Sequence, residues 1–468
     1  MSINNEYLFD KAKENQLTPE DIENILAVFK RTKSKSKGNN QKDNNIVKTL
    51  TTGYTYWGQF ISHDIVPPTT PSKYPSKRHV TPLLNLDSLY GDTSCHHIFF
   101  NAKGSFKKGP TKDDILRDNL GNVIIPEKRN AENLIIFQFH RLWQKVHNAF
   151  VKENLRNANE NSAFISAKRA TIALFQLITI DDYLEQLLDN AVHKHYFCSN
   201  KAGILTEQTP FTRVPFEFSH AAFRFGHSMV RSNYRLNCIK DHATGSLTEI
   251  NKDLSQLLVD TYPAPIDQST LIGWDSFFNT PSSTCNKSAE SAEPIDLHIT
   301  GAMFDMPHGI NIVSANIHAS VNKALKSGFD IVKILKGHDN FKCLFIEQDP
   351  ITVTSRRNLQ ALKYLYDNEK LPLWLYVLDE ASQARKGSLG ILGSIIVADV
   401  IRQSIYQYHT LSTASSLTYK TYRAHLIKEF YQNCGLSEEK LNKAPFIETT
   451  SDQEKFTMSM LLNFMQGE

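Results

Sequence analysis

A chain of 468 residues, 41% hydrophobic and 22% charged, has the balance of a soluble globular protein and is long enough to bury a core without staples. Its 52 basic residues against 49 acidic ones leave a formal net charge of +3, too weak a bias to argue for nucleic acid or an anionic membrane as partner. The cysteines (Cys95, Cys198, Cys238, Cys285, Cys343, Cys434) stand at long spacings with no CxxC pair, which argues against a zinc ribbon, a thioredoxin-type site and a disulfide framework.

The N-terminus, MSINNEYLFDKAKEN, is polar and unlike a secretory signal peptide. The longest apolar run, Ile391 to Ile401, is broken by Asp399 and falls far short of the ~20 residues of a membrane helix. The cytoplasm is therefore the default compartment, with export by a signal-independent route left open.

In chain order, residues 7–30 read as a helix, with Thr18 as N-cap, Pro19 at the first helical position and Glu20 and Asp21 in the first turn. Lys30 to Asn45 is basic, polar and rich in Asn, a surface loop. Residues 55–63 have helical spacing, and the proline-rich stretch 65–92 reads as an ordered loop. A strong helix is expected over 132–152, where Leu134, Phe137, Leu142, Val146 and Phe150 recur on one face. Similar patterns occupy 163–192, 216–230, 314–325, 374–384 and 391–406, and few segments alternate as strands do. The expected fold is mainly α, one large helical domain with long ordered loops and little β. It would be arranged as an N-terminal helix and polar loop (1–48), a main domain (49–410) and a helical extension (411–468).

Four constellations could carry chemistry. In Trp57-Gly58-Gln59-Phe60-Ile61-Ser62-His63-Asp64, Gln59 and His63 are i, i+4 and share one helix face beside apolar residues, which suits a small dry pocket or a satisfied core histidine. In TPLLNLDSLYG (81–91), oxygen-bearing side chains at Thr81, Asn85 and Asp87, with the Leu83 carbonyl between, suit either an Asx turn or a hard cation such as Ca²⁺. KRNAEN (128–133) places Arg129 and Glu132 at a helix start, with His140 and His147 farther along one face. In FEFSHAAFRFGHSMVR (216–231), Gly226 leaves room beside His227 for a flat cofactor, and Arg224 lies one turn back, placed for a carboxylate.

Together and in this order, these segments resemble the animal-type haem peroxidase superfamily, in particular its bacterial branch. GYTYWGQFISHDI (53–65) is similar to the distal-helix motif and TPLLNLDSLYG to the calcium loop. KRNAENLIIFQFH (128–140) is similar to the catalytic-arginine segment, and FEFSHAAFRFGHSMVR to the proximal segment. SRRNL (355–359), LPLWLYVLDEAS (371–382) and LGILGSIIVADVI (389–401) resemble the C-terminal helices, so the likeness covers roughly residues 50–410.

The resemblance implies a haem b enzyme that reduces hydrogen peroxide and oxidises a small organic or halide donor. It assigns His63 as the distal base, Arg129 as the cation beside the departing oxygen and Gln59 as the holder of water or halide. His227 becomes the iron ligand, Asn358 its hydrogen-bond partner and Arg224 the partner of a haem propionate. Asp64, Thr81, Leu83, Asn85 and Asp87 become ligands of Ca²⁺. Ser62 stands where relatives with two haem esters carry an Asp, so at most one ester is expected, through Glu132. Asn133 replaces a Met that some relatives join to haem, and Asn85 replaces a common calcium-loop Asp. Alternatives of the same fold are a fatty-acid dioxygenase and a silent haem-binding protein. The dioxygenases carry a Tyr three residues before the proximal His, where this chain has Arg224.

Overall fold

Trp57 anchors the helix expected around residues 55–63: it is fully buried, lies flat on Phe175 with ring centroids 5.0 Å apart, and donates from its indole to Thr179 Oγ1 at 3.2 Å. The structure, a computed structural model, describes residues 6–12, 17–33, 50–68, 78–209, 211–241, 243–258, 265–281, 283–346, 362–384, 387–412, 417–437, 448–450 and 453–466. Its longer helices are α1 (Pro19–Lys33), α2 (Thr52–Ile65), α3 (Leu134–Asn154), α4 (Glu160–Ile178), α5 (Ile312–Asn322), α6 (Gly328–Lys336), α7 (Leu373–Gln383), α8 (Ile391–Ser412), α9 (Tyr422–Asn433) and α10 (Met458–Gln466). One hairpin pairs β1 (Asn233–Lys240) with β2 (Leu247–Asp253), and a second, small one pairs Glu448–Thr450 with Gln453–Lys455. The mainly α class is as the sequence implies.

The chain packs as two compact units, each drawn from three separate stretches. The first comprises Met1–Leu50, Glu185–Ser232 and Ser291–Ser404; the second comprises Thr51–Leu184, Asn233–Glu290 and Ile405–Glu468.

In the second unit α2 packs on α3, α3 on α4 and α4 on α9. Trp57 of α2 also meets Phe139 and Trp143 of α3 edge-on, so one aromatic cluster joins α2, α3 and α4. Gly53 permits the ring of Phe278 to lie on α2: a Cβ there would stand 2.3 Å from Phe278 Cζ. Arg423 of α9 grips Asp181 through two hydrogen bonds of 2.9 and 2.7 Å, fixing α9 beside the end of α4. The run Glu160–Leu187 is long and apolar enough to cross a membrane, with mean hydropathy 1.4, and is the stronger candidate span than Ile391 to Ile401. Yet 72% of its apolar window is buried, the behaviour of a core helix.

The hairpin β1–β2 was not expected, because Tyr234, Arg235, Leu236 and Asn237 are all buried and no alternation shows. A bulge between Arg235 and Asn237 breaks the pairing, and a disulfide joins Cys238 of β1 to Cys285. By loop closure alone a bridge over 47 residues contributes about 4 kcal/mol.

In the first unit α1 begins at Pro19, not at residue 7. Thr18 and Asp21 close a reciprocal cap, Asp21 N to Thr18 Oγ1 at 3.1 Å and Thr18 N to Asp21 Oδ2 at 2.8 Å, so the chain turns into the helix there. The preceding Tyr7, Leu8 and Phe9 are buried outside any helix, and Leu8 and Phe9 donate their N–H groups to the carboxylate of Glu217 at 3.0 Å each. Phe29 of α1 stacks on the fully buried Trp374 of α7. Glu380 of α7 accepts the N–H groups of Leu392 and Gly393, capping α8. The helix expected over 216–230 is two pieces: an α turn (Phe216–Ser219) and a 3₁₀ segment (Ala222–His227), divided at Ala221 with φ −140° and ψ −81°. The Ser219 carbonyl at the break accepts from Arg224 Nε at 3.0 Å, so a side chain supplies the hydrogen bond.

Candidate functional site

Four of the constellations become two clusters, one in each unit. In the second unit, α2 carries Gln59 and His63 on one half-buried face. The turn Lys128–Ala131, just before α3, brings Arg129 and Asn130 to the end of that helix. His63 Nδ1 lies 2.7 Å from Asn130 Oδ1 and so donates to it, leaving the lone pair on Nε2. Burial, and next the charge of Arg129, push the His63 imidazole down to about 3, so it is neutral at ordinary pH and able to accept a proton.

Arg129 is held from several sides. Its Nε and Nη2 both donate to Glu127 at 2.9 Å, and Nη2 also reaches the carbonyls of His63 and Val66 at 2.9 Å. Arg78 binds the same Glu127 carboxylate at 2.6 Å and caps the carbonyls of Asp64 and His63. Burial alone would raise the Glu127 carboxyl, but the Arg129 hydrogen bonds and the charges of Arg129 and Arg78 hold it well below the usual carboxylate range. One carboxylate thus locks two guanidinium groups onto the last carbonyls of α2. The Glu132 carboxylate is exposed, and Asn133 caps α3 by accepting from Ile135 N at 2.7 Å.

The calcium-loop residues converge on Asp64, whose carboxylate is fully buried and accepts the N–H groups of Leu86 and Ser88 at 3.0 and 2.9 Å. Leu86 sits at φ 59°, the left-handed turn that wraps the loop around Asp64. Thr81 Oγ1 donates to Asp87 Oδ2 at 2.9 Å, Asn85 Oδ1 accepts from Asp87 N at 3.2 Å, and the Leu83 carbonyl accepts from Asn85 N at 2.9 Å. Burial, opposed by Arg78 and aided by the charge of Asp87, raises the Asp64 carboxyl to about 6. Among the described residues no three His, Cys, Asp or Glu side chains converge as a metal site. The donor set here is oxygen alone: two carboxylates, a hydroxyl, an amide and a carbonyl. That set, with Asp64 buried and outside any ion pair among the described residues, fits a hard cation.

In the first unit His227 ends the 3₁₀ segment, and a Cβ on the preceding Gly226 would meet nothing within 4 Å. His227 Nδ1 receives a hydrogen bond from Asn316 Nδ2 at 2.8 Å, and Arg224 Nη1 donates to Asn316 Oδ1 at 2.9 Å. Burial, then the charge of Arg224, push the His227 imidazole down to about 3, the neutral state a metal ligand requires. No carboxylate partner of Arg224 is found among the described residues, although burial lowers its guanidinium only to about 10 and it stays charged. The open space beside Gly226, a neutral histidine and a cation without an acid fit a haem with its propionates.

Asn358, expected to hold His227, lies outside the described residues. Among the described residues the hydrogen bond to His227 comes from Asn316 of α5, which the sequence does not single out. Its signal was an amide side chain beside Val313 and Ile317 on the buried face of that helix. Glu127, Arg78 and Asn130 were passed over too, being ordinary polar residues of loops.

The profile of the animal haem peroxidases matches residues 117–406, more than half of the sequence. The chain belongs to the animal haem peroxidase family. The matched interval contains Arg129, Glu132, Arg224, His227 and Asn316, and begins after Gln59, His63 and the calcium loop. This peroxidase-family chain is 31% identical to thyroid peroxidase of Mus musculus over 106 residues, which is 22% of this chain and 11% of that protein. Its fold is similar to that of peroxidase A from Dictyostelium discoideum, at TM-score 0.62 and 15% identity over 94% of this chain and 92% of the other. It is also similar to fatty acid α-dioxygenases from Oryza sativa (TM-score 0.59, 12% identity, 93% of this chain and 80% of that one) and Arabidopsis thaliana (0.55, 14%, 86% and 72%).

Proposed function

We propose that this chain is a haem peroxidase that reduces hydrogen peroxide and oxidises a small organic or halide donor. The observation that carries the reading is His63, neutral and with its Nδ1 proton given to Asn130, which leaves Nε2 to act as a base. His63 takes a proton from hydrogen peroxide and returns it to the oxygen that leaves as water. Arg129, fixed by Glu127, supplies positive charge to that departing oxygen, and Gln59 holds water or halide one helical turn from His63. Haem b, when bound, accepts the oxidising equivalents of peroxide and delivers them to the donor.

His227 would hold the iron through Nε2, which requires the ring proton on Nδ1. A half-turn of the Asn316 amide, with the Arg224 guanidinium released from Asn316 Oδ1 to a propionate, presents the amide oxygen to that proton, so Asn316 would orient the ring. Arg224 would pair with a propionate, and the exposed Glu132 would form the single ester. Asp64, Thr81, Leu83, Asn85 and Asp87 would hold Ca²⁺, tying the loop to the end of α2.

The rival within the fold is a fatty-acid dioxygenase, which the α-dioxygenase neighbours keep in view. Arg224 speaks against it, because a guanidinium cannot supply the radical that a phenol supplies. A steady-state donor screen with haem-loaded protein and peroxide, including bromide and iodide, beside linoleate with labelled O₂, separates the two. Peroxide-dependent donor oxidation is expected. A single labelled hydroperoxide isomer formed at a comparable rate would assign the dioxygenase instead.

A further inference from the structure

Asn130 is fully buried and bridges two histidines: its Oδ1 stands 2.7 Å from His63 Nδ1 and its Nδ2 3.2 Å from His140 Nδ1. His140 projects from α3, is itself fully buried, and is packed edge-on against Phe60 of α2. We propose that Asn130 and His140 are positioning residues which decide that His63 carries its proton on Nδ1 and keeps Nε2 bare. The inference deepens the peroxidase reading and rests on His63 being its base.

A primary amide accepts at its oxygen and donates at its nitrogen, and the two ends cannot exchange roles without a half-turn. A neutral imidazole likewise has one donor nitrogen and one acceptor. His140 is kept neutral chiefly by burial, which brings it down to about 3. Its Nδ1 accepts from the Asn130 nitrogen, and this directs the Asn130 oxygen at His63. An oxygen there can pair only with a protonated Nδ1, so the lone pair is forced onto Nε2. Turning the amide round would put two donors or two acceptors face to face unless both rings changed tautomer together.

The arrangement costs something, because His140 Nε2 is buried without a partner among the described residues. A ring chosen for packing alone would be better served by Phe or Leu at that place. The same short turn, Lys128–Ala131, presents Arg129 on one residue and Asn130 on the next, so the cation and the tautomer of the base are set together.

The test labels the chain with ¹⁵N at histidine only and reads the ring nitrogens of His63, assigned by loss of the signal in His63→Ala. The native chain is expected to show a protonated Nδ1 and a bare Nε2. Asn130→Leu should give a mixture of tautomers, His140→Phe a smaller shift in the same direction, and Asn130→Asp, which keeps an acceptor toward His63, the native tautomer. In the haem-loaded chain Asn130→Leu should slow the reaction with peroxide by about tenfold or more, with the KM for the donor unchanged. Native ring shifts in folded Asn130→Leu and His140→Phe would overturn the proposal, and so would loss of the tautomer in Asn130→Asp. If Asn130→Leu fails to fold, the pair Asn130→Asp and His140→Phe decides. A chain that takes up no haem would end the peroxidase reading, while the ring nitrogens would still decide this one.

Discussion

Two buried asparagines, Asn130 and Asn316, each join a histidine to a second polar group, His140 in one case and Arg224 in the other. With haem bound as proposed, the consequence at Asn316 would be electronic. A carboxylate in its place would draw the Nδ1 proton of His227 more strongly and make the ring a better donor to iron. Asn316→Asp is therefore expected to lower the Fe(III)/Fe(II) potential, and Asn316→Leu to raise it; spectroelectrochemistry of the two variants measures both. Equal potentials would remove Asn316 from the proximal side. The histidines and arginines were legible because their chemistry is rare and their spacing specific. The asparagines were not, since an Asn in a loop or mid-helix is ordinary until its neighbours in space are known.

At the level of elements, the end of α2 is where loop, turn and helix meet. Arg78 and Arg129 cap its carbonyls through Glu127, and Asp64 organises residues 81–88 around it. Calcium bound to this loop would balance the charges of Asp64 and Asp87. Elemental analysis is expected to find about one calcium per chain, removable by chelator because Asn85 contributes no charge, and its loss should lower the unfolding temperature. Calcium-free protein of unchanged stability would contradict the assignment.

The segment before His227 makes a second prediction. Burial raises the Glu217 carboxyl from 4.5 to about 7, so the folded chain holds that proton longer than the unfolded one. Stability should then fall as pH rises from about 4.5 to 7, by roughly 3 kcal/mol, and level off above. Denaturant midpoints at pH 5 and pH 8 check this: Glu217→Gln should flatten that part of the profile. An unchanged slope in the variant would show that other groups produce it. The break at Ala221 was not legible in the sequence, because FEFSHAAFRFGH keeps helical periodicity through it. The long helices α3 and α8 were legible, since many apolar residues on one face outvote any local break. The hairpin was hidden for the opposite reason: four successive buried residues of β1 erase the two-residue period.

Over the whole chain, the two units are each assembled from distant stretches: the proposed distal residues lie in one of them, Thr51–Leu184, whereas the proposed proximal ones come from two, Glu185–Ser232 and Ser291–Ser404. Composition reveals no such division, because both units are built mainly of apolar helices. The family match runs across stretches of both, which makes them parts of one inherited fold. The central claim is that this fold carries haem on His227. Its most direct measurement is the absorption spectrum of the purified chain and of His227→Ala after equal exposure to haem. The account predicts one haem per chain with an intense Soret band in the native protein, and loss of that band and of peroxide-dependent donor oxidation in His227→Ala. A variant with an unchanged ferric spectrum would show that another residue holds the iron.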